Sequence, residues 1–138
     1  MNLPSLVTDN ISELLVTIIK FTRIRKKIIT ENLNNSRTAG YVPKDVEVDK
    51  FSELLSRAID EHTRNKRLLL SDTKNIKFGA NGDFEVSAVV DEDARELLSN
   101  SHDEYVEMQI NKLLENSLNQ RIAKELLEQK QGFAVATE

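Results

Sequence analysis

Two long amphipathic segments, one toward each end of the 138-residue chain, constrain its fold more than anything that lies between them. Over residues 5–31, Val7, Ile11, Leu14, Ile18, Phe21 and Ile28 recur at alternating spacings of four and three, with Arg25 in the remaining heptad slot. That spacing keeps an apolar seam on one side of a helix, as in a coiled coil. Leu15, Ile19, Ile24 and Ile29 widen the seam, which predicts more than one apolar neighbour for this helix. Pro4 is acceptable ahead of it, because the first helical N–H groups have no internal partner to lose. Over residues 102–131, Ile110, Leu114, Leu118, Ile122 and Leu126 recur every fourth residue, thickened by Val106, Leu113 and Leu127. A fourth-residue row drifts around the helix axis, so it describes a broad packing face rather than a two-stranded seam, and Gly132 is placed to stop the helix.

Between these segments, residues 39–48 read as an extended connection, because Pro43 pushes Val42 out of the helical region and removes a donor. A shorter helix follows, with Phe51, Leu54, Leu55, Ala58 and Ile59 on one stripe, His62 at its boundary, and Asp49 as the expected N-cap. Residues 75–78 and 84–90 flank Asn81-Gly82, whose tolerance of positive φ suits a tight hairpin turn. Alternation places Phe84, Val86, Ala88 and Val90 on one strand face, in a hairpin too small to stand without packing against helices or another subunit. Asp91-Glu92-Asp93 marks a turn or helix end. The expected fold is mainly α: long N- and C-terminal helices in a coiled-coil-like bundle, with a short middle helix and a small β-hairpin. One domain spans 1–138, divided into an N-terminal helix (1–35), a middle segment (36–101) and a C-terminal helix (102–133).

With no Trp, 5% aromatic and 30% charged residues, the chain lacks the material for a large aromatic-anchored core; elongated helices buried against partners fit better. A net charge of -4 gives no electrostatic reason to bind nucleic acid or anionic lipid. The absence of Cys excludes disulfides and thiolate metal sites and leaves the redox compartment open. Asp9, Asn10, Ser12 and Glu13 interrupt the first apolar residues, so a cleavable signal is not expected, and no run reaches the roughly 20 apolar residues that span a bilayer.

Catalytic chemistry finds no motif. His62 and His102 lack a nucleophile or metal-site context and read as surface or capping residues. Asn81-Gly82-Asp83 is far shorter than a calcium loop, and Gly79 to Gly82 lacks the basic neighbours of an RNA clamp. Arg23, Arg25, Lys26 and Lys27 form the one dense basic cluster, with Lys20, Arg23 and Lys27 on a shared face, read as solvated or paired to an acidic neighbouring subunit. No catalytic residue, metal or cofactor is expected.

Residues 32–41, Asn-Leu-Asn-Asn-Ser-Arg-Thr-Ala-Gly-Tyr, resemble the segment Asn-Leu/Ile-Ala-Asn-x-x-Thr-Pro-Gly-Tyr that ends the first helix of bacterial flagellar rod and hook proteins. The matching positions are Asn32, Leu33, Asn35, Thr38, Gly40 and Tyr41; Asn34 replaces Ala and Ala39 replaces Pro. Glu107-Met108, Lys112-Leu113 and Glu115-Asn116 with Leu118 are similar to the family's C-terminal Glu-Met-x-x-x-Leu-x-x-Asn-x-Leu, with Gln120 where Tyr is usual. The resemblance covers residues 1–133 in outline, is closest to the short proximal-rod component, and carries little pattern over 63–100. It implies a non-enzymatic rod subunit, exported uncleaved by the flagellar type III apparatus into the periplasmic rod. The implied partners are itself, other rod subunits, the MS-ring–rod adaptor and the export gate. On this reading both terminal helices bury their apolar faces on neighbouring molecules. A cytoplasmic helical adaptor or chaperone would explain the helices equally well but not the two motifs together; an enzyme subunit would need a pocket with perturbed acids.

Overall fold

The computed structural model describes residues 9–79 and 83–136. Helix α1, Asn10–Asn34, begins on an N-cap: Asp9 accepts a hydrogen bond from the Ser12 amide, one of the first-turn donors that the helix leaves unpaired. Val7 and Pro4 lie outside the described residues. Two-residue strand β1, Lys44–Asp45, leads to α2, Val48–Asn65. Strands β2, Ile76–Lys77, and β3, Glu85–Val86, pair antiparallel as the expected hairpin, whose Asn81-Gly82 turn lies outside the described residues. Gly79 sits at φ 66 at its edge, where an added Cβ would meet the Asp83 carbonyl oxygen at 2.5 Å. Strand β4, Val89–Val90, then pairs with β1, and helices α3, Glu92–Asn100, and α4, His102–Ala136, complete the chain.

The long helices run antiparallel: Asp9 pairs with Lys130, Thr22 faces Asn116, and Asn32 faces Gln109. Helix α1 is the centre of the molecule, with an apolar neighbour on each flank, as the width of its seam requires. One flank meets α2 and the hairpin in a core of Phe21, Val46, Phe51, Leu54, Ile76 and Phe78, with Phe84 and Val86 packed against it. Phe21 and Phe51 stack at 3.8 Å. The other flank sets Leu15 and Ile19 against Ala123 and Leu127 of α4. Composition alone argued against an aromatic-anchored core, yet four of the five phenylalanines meet in one small cluster because hairpin and middle helix converge on Phe21.

Several local expectations are corrected. Helix α2 starts a residue before Asp49; Glu47 takes the N-cap position without a side-chain cap, because its carboxylate accepts from Asn75 Nδ2 at 3.0 Å. Its stripe ends early: Phe51, Leu54 and Ala58 are buried, whereas Ile59 is exposed. Alternation along 84–90 stops after Ala88, and Val90 is exposed, because the strand leaves β2 and continues on a second partner, with Lys44 opposite Val90. Asp91-Glu92-Asp93 is the helix end expected there, with Asp91 capping α3 by accepting from the Ala94 amide, although the helix that runs on to Asn100 was not assigned. Gly132 does not stop α4, which continues to Ala136, since the positive-φ glycines among the described residues are Gly40 and Gly79. A helical glycine costs about 1 kcal/mol against Ala without forbidding the helix.

Candidate functional site

The family-like segment folds as a clasp. Asn32 lies in the last turn of α1, is buried, and uses every polar atom of its side chain. Its Nδ2 donates to the Lys44 carbonyl at 2.7 Å and to Gln109 Oε1 at 3.0 Å. Its Oδ1 accepts from the Tyr41 hydroxyl at 2.7 Å and the Lys44 amide at 3.2 Å. The Tyr105 hydroxyl donates to the Asn32 carbonyl at 2.9 Å. Asn35 caps the helix, and its side-chain oxygen accepts from the Thr38 hydroxyl at 3.1 Å. Gly40 at φ 75 then reverses the chain so that Tyr41 returns to Asn32. Leu33 is half-buried beside them. Burial first, then the charges of Tyr41 and Asp91, push the Tyr105 hydroxyl up to about 12, so it remains a neutral donor. The Tyr41 hydroxyl is raised by burial and by Glu31.

Two helical turns back along α1 lies an ion network that sequence reasoning missed. Arg25, buried in α1, makes a two-pronged contact with Asp45, both distances 3.1 Å, and reaches Glu115 at 3.4 Å. Lys112 Nζ contacts Asp45 at 2.9 Å and also Asp91. The network joins α1, the β1–β4 ladder, the α3 cap and α4. Burial alone would raise the Asp45 carboxyl, but hydrogen bonds from Arg25 and Lys112, and their charges, outweigh it and hold it below its usual 3.8. Lys112 likewise keeps its proton above the usual 10.5: burial opposes the charge, and Asp91 and Asp45 more than compensate. The available signal was Arg25 in a heptad slot, where a charge demands a buried counter-ion.

The apolar seams separate in their use. Leu14 and Phe21 are buried within the chain and Ile11, Ile18 and Ile28 are half-buried, so the described part of the N-terminal set packs largely into the chain's own core. On α4 the opposite holds: Ile110, Leu114, Leu118, Ile122 and Leu126 are 43%, 63%, 57%, 46% and 45% exposed. The side of α4 that meets α1 carries Tyr105, Gln109, Lys112, Asn116 and Ala123 instead. Those positions follow coiled-coil spacing and stay in register with a neighbour, whereas a fourth-residue row turns about 40° at each step and leaves it. The end of the row, Ile122 and Leu126, rims a groove of about 270 Å³ between α2 and α4, floored by Leu15, Ile18 and Phe21.

The histidines are placed apart: Asn10 Nδ2 lies 3.0 Å from His62 Nδ1, and Ser36 Oγ lies 3.3 Å from His102 Nε2. Among the described residues no group of three or more His, Cys, Asp or Glu side chains could hold a metal ion, and no helix is long and apolar enough to cross a membrane. No protein-family model, curated protein or solved structure matches this chain.

Proposed function

We propose that this chain is a structural subunit of the proximal rod of the bacterial flagellum, similar to flagellar basal-body rod protein B. Its apolar α4 face is covered by neighbouring rod subunits. The observation that carries this reading is the convergence of the two family-like motifs. Asn32 and Tyr41 of the first close on α4 beside Gln109, while Lys112 and Asn116 of the second bind Asp45 and the Thr22 carbonyl. Three of the residues behind the resemblance, Asn32, Tyr41 and Asn116, thus sit where the two long helices lock together, as a shared fold would require, while Glu107 and Leu118 face outward.

In this role the helix pair acts as a stiff element. Twisting α1 against α4 would break the clasp and the ion network together, so torque passes through the pair to whatever covers the α4 row. Export without cleavage and contacts with the MS-ring–rod adaptor and export gate belong to the same proposal. Finishing the burial of five half-exposed aliphatic side chains yields roughly 4–7 kcal/mol, comparable to the lower end of association costs, so the row needs a second source of affinity. Deleting the gene and imaging isolated basal bodies tests the proposal. Rods are expected to be missing or truncated at their base; intact rods would contradict it.

A further inference from the structure

The outer faces of the two long helices differ in charge as well as in exposure. On α1, Arg23, Lys26 and Lys27 are exposed around half-buried Ile24, three cations against the single exposed carboxylate of Glu31 in the same patch, and among the described residues none of the three makes an ion pair within the chain. Lys27 lies two residues from buried Ile29 and points away from that side, while Arg23, two residues from Phe21 and four after Ile19, is exposed at the edge of the flank that meets α4. On α4, Glu104 and Glu107 are exposed next to Ile110, Leu114 and Leu118 and make no ion pair among the described residues. Glu107 lies two residues before Gln109 and Leu114 two before Asn116, so this face points about 160° away from the contact with α1.

We propose that a second copy of this chain docks the acidic, apolar outer face of its α4 onto the basic outer face of α1. The identity of the partner rests on the assembly reading above; the pairing of faces rests on their charge. The net charge of -4 makes copies repel at long range, so attraction needs a local complement, and this cluster supplies it. Because the acidic face of α4 and Lys27 on α1 are turned away from each other across the helix pair, one partner cannot cover both, so the contact is heterologous and propagates rather than closing as a two-fold dimer.

Sedimentation velocity of the purified full-length chain over a range of concentration and salt tests the pairing without any flagellum present. Wild type is expected to self-associate, less so as salt screens the exposed charges. Arg23→Glu with Lys27→Glu is expected to weaken association at least tenfold, as is Glu104→Lys with Glu107→Lys. Mixing the two double variants is expected to restore association, since each then meets the opposite charge. Circular dichroism confirms that these surface variants fold. The proposal is overturned if the double variants associate like wild type, or if the mixture gains nothing. It is equally overturned if wild type stays monomeric throughout, whether inert or binding phosphatidylglycerol vesicles instead. Missing rods in the deletion strain together with any of these results would retain the rod assignment and reject this contact.

Discussion

Asp45→Asn is expected to lower the unfolding free energy by about 3–5 kcal/mol, the usual cost of removing one member of a buried ion pair. The Asp45 side chain is 13% exposed and answers two cations, Arg25 and Lys112. With an amide in its place Arg25 retains only Glu115, whose side chain is 61% exposed, and Lys112 retains only Asp91. The effect is pH-dependent with a defined sign. A carboxyl depressed below 3.8 in the folded state contributes stability that is fully present above the unfolded value and disappears as pH falls through the folded one. Lys112, raised above 10.5, contributes below that value and loses its contribution as pH rises through the folded one. Urea unfolding of wild type should therefore show a plateau from about pH 5 to pH 9, and the gap between wild type and Asp45→Asn should close toward pH 2. An equal gap at pH 2 and pH 7 would mean that the charge on Asp45 does not matter.

Asn32→Ala is expected to cost a similar amount, about 3–5 kcal/mol, by a different route. It removes a donor from Gln109 and Lys44 and an acceptor from Tyr41 and Lys44, and Gln109 is fully buried. Each buried group left unpaired costs roughly 1–3 kcal/mol. Against a total stability of roughly 5–15 kcal/mol, that corresponds to a Tm lower by about 10–20 °C. Tyr41→Phe removes a single hydrogen bond from a half-buried ring and should cost only about 1 kcal/mol. Thermal unfolding of both variants checks the ratio; equal losses would show that Asn32 acts only through Tyr41.

What could be read from the sequence follows from how each contact is made. Helices α1 and α2 and the β2–β3 hairpin were legible because apolar periodicity and turn residues decide them, and Phe21, Phe51 and Ile76 all enter the core. That the two terminal helices pack together was also legible, but the residues that join them were not, because Tyr105, Gln109, Lys112 and Asn116 show no hydrophobic period and find their partners far along the chain. Periodicity also reports that a face is apolar without reporting what covers it. The N-terminal seam and the C-terminal row therefore looked alike, although Phe21 is buried by the chain and Leu114 is 63% exposed. Asn32 was visible as a signature residue, but of its five hydrogen-bonding roles those with Tyr41 and Lys44 depend on Gly40 returning the chain, and those with Gln109 and Tyr105 on the distant α4. The β1–β4 ladder, two residues long, left no pattern to find.

The chain has no Cys, so single introduced thiols report directly on whether the α4 row is sealed by neighbours. Leu118→Cys places a thiol on the exposed row and Ala123→Cys places one on the buried contact with α1. Labelling rates are to be measured for the isolated chain and for purified basal bodies. The thiol at 118 is expected to react rapidly in the isolated chain and to be protected in basal bodies, while the thiol at 123 is protected in both. A thiol at 118 that reacts as fast in the assembled rod as in solution would contradict the assignment of this face to assembly.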